Sequence, residues 1–310
     1  MTTTDERLRD TCALVTGAAR GIGAATAELF HAHGATVYLG DVDDELGERV
    51  AAKIGARAHY RHLDVTDESQ WTRVTTEMAD RGHPMRVLVN SAGAASKASI
   101  MQTSLADLRR MIDLNLVGTF LGLQAAGAAM TTGGSVVNLS SLRGVLATAE
   151  LGAYGASKFG VRALTRVAAL EFAESKIRVN AVCPGSIETA ITAGADFADD
   201  DMDAYVKSIP LQRRGLPLEV AKAILFLACE DSSYITGSDL MIDGGTSAGA
   251  KTPKHPTRPQ YELNSLSFSS TNHSQPSRCQ GDITIQGFQP DQDLRVQHHC
   301  RSTRPRHPGR

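Results

Sequence analysis

The stretch Cys12–Gly23, CALVTGAARGIG, decides the fold. Its first half, CALVT, is a short β-rich apolar run that stops at a glycine. A run of that length bounded by turn residues reads as a strand buried on both faces. Glycines then stand at Gly17, Gly21 and Gly23, in the spacing G-x-x-x-G-x-G rather than G-x-G-x-x-G. Gly17 permits a tight turn, Gly21 lets backbone approach a ligand, and Gly23 lets the following helix pack close. A helix opening here presents unpaired N–H groups and a positive dipole end to a pyrophosphate, with Arg20 and Ile22 in the same loop. Glycines alone suit any turn. Their position between a strand and a helix gives them a phosphate-binding reading.

The same alternation continues outward. TVYLGD (36–41), ARAHYRHLD (56–64), RVLVN (86–90), SVVNLS (135–140), IRVNAV (177–182) and DLMID (239–243) are further strand candidates. Helical patterns separate them, such as Val220, Ala223, Ile224 and Leu227 at i, i+3, i+4, i+7. Strands alternating with helices predict right-handed crossovers and one α/β domain of the Rossmann type. Its sheet is doubly wound and parallel, of about seven strands, with helices on both faces. In such sheets ligands bind at the carboxyl ends of the strands.

The strand ends are therefore the places to search. Asp41 closes the second, where an acid can accept both ribose hydroxyls of an adenosine and repel a 2′-phosphate. That favours NAD over NADP, although Arg20 could reach such a phosphate and Asp41 could instead belong to a helix start. Asp64 and Val65 close the third, at an adenine edge or a turn. Asn90, Ser91, Ala92 and Gly93 close the fourth, where small residues let a cofactor pass. Ser140 and Ser141 close the fifth, and Cys183-Pro184-Gly185 follows the sixth. Asn115 lies within the helical stretch MIDLNLVGTF, where its poor propensity signals a kink or a side-chain bond.

In YGASK, Tyr154 and Lys158 stand at i and i+4 and share a helix face. A nearby cation favours a phenolate, and a free Tyr titrates near ~10. Such pairs also occur on solvated helix surfaces, so the surrounding motifs decide between the readings.

Those motifs resemble the short-chain dehydrogenase/reductase family. TGAARGIG, NSAG, a central Asn, a Ser thirteen residues before YGASK, and PGSIET occur in order over roughly residues 8 to 249. HLDVT, SSYITGSDLMIDGG and the Trp71 region look most like NAD-linked 3α/20β-hydroxysteroid dehydrogenases. The resemblance implies Tyr154 as general acid or base, with Lys158 lowering its pKa and holding the nicotinamide ribose. It implies that Ser141 orients the substrate oxygen and that Asn115 anchors a water linking Lys158 to solvent. Thr189 and the backbone at Ile187 would bind the carboxamide. Ser140 lies one residue off the catalytic spacing. The small residues Gly155, Ala156 and Ser157 would let cofactor and substrate approach, while Trp71 would pack.

The implied substrate is a mostly apolar secondary alcohol or ketone, a steroid being the leading example. The alternatives are a 3-oxoacyl-type reductase and a non-catalytic dinucleotide-binding sensor or scaffold. AAGAAMTTGG and EFAES hold almost no Lys or Arg, which argues against docking of an acidic acyl carrier protein. The expected substrate lid, about 190–214, carries Asp196, Asp199, Asp200, Asp201 and Asp203 and would add repulsion. The resemblance also implies a homotetramer assembled through two long helices and the last strand.

Composition bounds the rest. The chain has 310 residues, 42% hydrophobic and 21% charged, with net charge −2. This gives no argument for nucleic acid or a membrane surface. No run of eighteen apolar residues occurs, and the N-terminus lacks an apolar signal core. Five scattered cysteines read as reduced cytoplasmic thiols. Residues 250–310 hold seven of the eleven prolines and carry +5, leaving −7 on the preceding part. With few aliphatic residues they are expected to form a disordered tail beyond a catalytic domain, 1–249. For that tail, nucleic-acid binding, a metal site at His298, His299 and Cys300, and partner recruitment stand as alternatives to a nonfunctional extension, which its dispersed charges and the distance to Cys279 favour. No metal is expected at the active site.

Overall fold

The computed structural model describes residues 6–189 and 201–249. The expected tail and residues 190–200 of the expected lid lie outside them. Seven strands form one parallel sheet: β1 (Cys12–Thr16), β2 (Thr36–Asp41), β3 (Ala58–His62), β4 (Met85–Asn90), β5 (Gly134–Leu139), β6 (Ile177–Pro184) and β7 (Asp239–Ile242). Their order is β3-β2-β1-β4-β5-β6-β7. The order reverses between β1 and β4, the switch point where a crevice opens above the strand ends. β3 is shorter than ARAHYRHLD suggests, and β6 extends to Pro184.

Alternation along each strand sends side chains to two cores. On one face Ala13, Val15 and Val37 pack with Phe30 of α1 (Gly21–Ala32) and Ile224 of α8 (Pro217–Ala228). On the other, Leu14, Leu88 and Val136 pack with Trp71 of α3 (Glu68–Asp80), Leu123 of α5 (Gly118–Ala129) and Ala168 of α6 (Gly152–Glu171). The remaining helices are α2 (Asp44–Ile54), α4 (Leu105–Ile112) and the short α7 (Met202–Ser208).

The helical run Leu105–Ala129 is long and apolar enough, by length and composition alone, to cross a membrane. In this fold it packs against α3 and α6 beside the sheet. Its middle, Asp113–Val117, is a π-turn centred on Asn115. Of the kink or side-chain bond expected from an Asn at mid-helix, the bond is present: Asn115 reaches outside the helix at the point where the ladder widens.

Candidate active site

The glycine loop joins β1 to α1 as the sequence predicts. Gly17 has φ +64°, and a Cβ there would lie 2.8 Å from the Ala92 Cα. A Cβ on Gly23 would lie 2.2 Å from the Gly17 carbonyl oxygen, so α1 seats directly on the loop. The N-cap of α1 is Arg20, which makes no side-chain capping bond. The first N–H groups of the helix therefore face the crevice.

That crevice holds a cavity of about 720 Å³. Gly17, Arg20, Gly21, Ile22 and Gly23 line one end, Asp41 and Asp43 the side, Asp64 and Val65 the far wall, and Ala92, Gly93 and Thr189 the inner end. Each is held from behind. The Asp41 carboxylate accepts from the Ala19 N–H at 2.9 Å and the Asp43 N–H at 3.1 Å, tying β2 to the glycine loop. Arg20 is paired with Asp43. The Asp64 carboxylate accepts from the Thr66 N–H and hydroxyl, so it makes the turn as well as lining the cavity. Val65 is held through its carbonyl, which accepts from the Trp71 indole N–H at 2.9 Å. Trp71 is buried, as its packing role requires. The Thr16 hydroxyl accepts from the N–H groups of Ser91 and Ala92, both at 3.1 Å, and so positions the fourth strand end.

Four expected cofactor contacts, Asn90, Pro184, Gly185 and Ile187, are not among the residues that line the first cavity. The Asn90 side chain turns into the sheet interior and donates to Asn138 at 2.8 Å. Pro184 is buried and pairs with Ile242 of β7. Gly185 lines a second cavity instead, and a Cβ there would meet Asp243 Cα at 2.8 Å. Ile187 is buried, and its carbonyl accepts from Arg214. Among the described residues that follow β6, the one that reaches the first cavity is Thr189.

The second cavity, about 460 Å³, is lined by Ser141, Tyr154, Gly185, Arg143, Lys97, Glu150, Asp201 and Tyr205, among others. Its volume suits a ring-sized ligand. Four charged side chains, Lys97, Arg143, Glu150 and Asp201, stand on an otherwise mostly apolar wall. Ser141 caps a short 3₁₀ turn, accepting from the Arg143 N–H at 3.0 Å. That leaves the Ser141 proton free to donate toward the Tyr154 phenol or a substrate oxygen. Ser140 is excluded: its hydroxyl donates to the Lys158 carbonyl at 2.9 Å and is buried.

Lys158 stands between Leu139, on the wall of the first cavity, and Tyr154, on the wall of the second. It is 5% exposed, and its Nζ donates to the Leu139 carbonyl at 2.8 Å. The same Nζ lies 5.9 Å from the centre of the Tyr154 ring. Burial lowers its pKa to about 8. Tyr154 moves the other way: burial raises its pKa, opposed by the Ser141 hydrogen bond and the Arg143 charge. The net direction is upward, because desolvation outweighs both opposing influences.

Asn115 is fully engaged. Its Oδ1 accepts from the Ala94 N–H at 3.0 Å, and its Nδ2 donates to the Ala94 carbonyl and the Ser157 hydroxyl, both at 3.0 Å. Ser157 therefore faces Asn115 rather than a ligand. A Cβ on Gly93 would stand 2.6 Å from Asn115 Oδ1 and 3.4 Å from Lys158 Nζ, so this glycine lets the two side chains approach the crevice. Sequence reasoning missed Arg143, Tyr205 and the Leu139 carbonyl. Arg143 had a signal, standing two residues beyond Ser141 at a strand end.

A family model described as Enoyl-(Acyl carrier protein) reductase matches residues 17–247. The chain belongs to the short-chain dehydrogenase/reductase family. A trans-4-hydroxycyclohexanecarboxylate dehydrogenase from Sinomonas cyclohexanicum is 39% identical over 80% of this chain and 97% of its own. A 3-alpha-(or 20-beta)-hydroxysteroid dehydrogenase from Mycobacterium bovis is 40% identical over 78% of this chain and 92% of its own. Among solved structures, a short-chain type dehydrogenase/reductase from Mycobacterium marinum matches with TM-score 0.75 and 33% identity. It covers 79% of this chain and 98% of its own. Short-chain dehydrogenases are oxidoreductases that use nicotinamide dinucleotides, and the seven-stranded sheet described above is their fold.

Proposed function

We propose that the chain transfers a hydride between NAD(H) and a secondary alcohol or its ketone on a cyclic skeleton, with Tyr154 as general acid and base. The observation that carries this reading is that Ser141 and Tyr154, from two segments, line one cavity, while Lys158 stands between Tyr154 and Leu139 of the first cavity's wall. Both relatives named above act on hydroxylated cyclic compounds. A steroid is one such compound.

A nicotinamide dinucleotide fits the first cavity, because the glycines leave room that side chains would fill and the start of α1 offers N–H donors. Bound there, the nicotinamide supplies or accepts the hydride. Gly17, Gly21 and Gly23 cradle the phosphates, Asp41 takes the ribose hydroxyls, Asp64 and Val65 border the adenine, and Thr189 meets the carboxamide. NAD is favoured over NADP by four acids on the cavity wall, Asp41, Asp43, Asp44 and Glu45. Arg20, which faces them, is already paired.

Ser141 orients the substrate oxygen, and Tyr154 moves its proton. Because burial raises the Tyr154 pKa, the phenol is protonated at neutral pH and ready to protonate a ketone oxygen. Alcohol oxidation needs the phenolate and gains as pH rises. Lys158 carries its charge below about pH 8 and holds the ribose beside the phenol. Asn115 positions Ala94 and Ser157, which steadies the start of α6.

The catalytic domain is residues 1–249, a boundary supported by the family match ending at 247. Exposed apolar side chains on α5 and α6, including Phe120, Phe159, Val167 and Leu170, support assembly into a homotetramer. Light scattering of the full chain tests that. Free, buried Cys12, Cys183 and Cys229 suit a reducing compartment such as the cytoplasm. The deciding experiment is steady-state turnover of ring alcohols and hydroxysteroids with NAD and NADP. Tyr154→Phe is expected to lower turnover roughly 100- to 10,000-fold while leaving the circular dichroism spectrum unchanged. Full turnover by that variant defeats the reading.

A further inference from the structure

We propose that Arg143 receives a carboxylate, so that the preferred substrate is an anionic ring alcohol rather than a neutral one. This rests on the reading of Tyr154 and Ser141 as the reacting end of the second cavity.

Each of the other charged groups in that cavity has a partner. Lys97 is paired with Glu150 at 3.5 Å. The Asp201 carboxylate accepts from the Ala204 N–H at 2.9 Å and caps α7. Arg143 has no such counterpart among the described residues. Its one side-chain hydrogen bond there is from Nη2 to the Tyr205 phenol oxygen, long at 3.3 Å and to a neutral group. Arg61, Arg162 and Arg213 meet Glu77, Asp239 and Glu219. Arg57, Arg73, Arg86 and Arg178 meet no carboxylate among the described residues either, but each donates to a backbone carbonyl, and none of them lines this cavity.

A guanidinium carries five donors in a planar fork whose best partner is a carboxylate taken up by two parallel bonds. Here the fork is half-buried on the wall of a cavity and makes one weak neutral bond. Its backbone is locked to the reacting end, since the Arg143 N–H donates to the Ser141 hydroxyl. The same turn therefore sets the distance between the group that orients the carbinol and the group that would hold an anion. A substrate with both functions would be fastened at two points, which positions its carbinol hydrogen. Tyr205, from α7, would complete the anion's contacts with its hydroxyl.

A tuning role is the competing account, because the Arg143 charge also opposes the rise in the Tyr154 pKa. The two roles separate experimentally. Tuning acts on every substrate alike and moves the pH profile. Anion recognition acts only on substrates that carry the charge.

The test compares 4-hydroxycyclohexanecarboxylate with its methyl ester in NAD-linked oxidation by the full chain. Wild type is expected to favour the acid in kcat/KM by roughly 10- to 100-fold, the range of a hydrogen bond to a charged group. In Arg143→Met that preference should collapse to near parity, and Arg143→Lys should restore part of it. Binding is read separately from the thermal midpoint with cyclohexanecarboxylate, which has no hydroxyl to react. It should stabilise wild type, whereas cyclohexanecarboxamide should not.

Equal kcat/KM for acid and ester in wild type overturns the proposal, and so does a preference that survives in Arg143→Met. An equal loss for both substrates with a displaced pH profile also overturns it and assigns Arg143 to tuning. If Arg143→Met does not fold, the wild-type comparison of acid and ester decides alone. If wild type oxidises none of the alcohols, the proposed function fails instead, and the thermal shift by the carboxylate still judges Arg143.

Discussion

Replacing Lys158 with Met isolates the energetic burden of a buried ammonium. In the folded chain Lys158 is 5% exposed, and burial moves its pKa from 10.5 to about 8. Its folded pKa therefore lies below its unfolded one. Below about pH 8 the group is charged in both states, and folding carries the whole desolvation cost. At roughly 1.4 kcal/mol per pKa unit that cost is about 3 kcal/mol. Between about pH 8 and 10.5 the folded state has released its proton while the unfolded state still holds one, so the cost fades as pH rises. Met fills similar space without charge but loses the bond to the Leu139 carbonyl, worth about 1 kcal/mol at any pH where it forms. Urea denaturation of both proteins at pH 7 and pH 10 gives the test. The wild type should gain about 2 kcal/mol relative to Lys158→Met over that interval. Parallel pH curves for the two proteins would refute the reasoning, because they would mean that the ammonium is not desolvated by the fold.

Other expectations are as direct. Asp41→Ser should raise the NADP to NAD ratio of kcat/KM by about 10-fold or more, since the carboxylate no longer opposes a 2′-phosphate; a ratio that stays put contradicts the assignment. Gly23→Ala forces a methyl against the Gly17 carbonyl and should cost about 1–3 kcal/mol in urea denaturation, with weaker NAD binding by calorimetry.

Much of this architecture could be read from the chain. The seven strands were visible because burial on both faces demands short apolar runs such as CALVT and RVLVN. β3 was the weakest signal, AHYRH, because it forms the sheet's edge and none of its residues is fully buried. The cavity's outer residues were visible because they follow strand ends. Others were not, because their roles depend on where side chains meet across distant segments. Arg143 meets Tyr205 from sixty-two residues away, and the Ile187 carbonyl is taken by Arg214 from twenty-seven away. At Asn90 the strand-end position was legible, but not that parallel register sets its side chain opposite Asn138 and turns it inward. YGASK displayed its shared helix face, but not the burial that raises the Tyr154 pKa against the Ser141 hydrogen bond and the Arg143 charge.

Trp71 gives the molecule a built-in optical probe. It is the chain's one tryptophan, it is buried, and its indole N–H is tethered to the carbonyl of Val65 on the wall assigned to adenine. Occupation of that wall should alter the indole's emission without any label, so binding at the adenosine end can be titrated even in variants that no longer turn over.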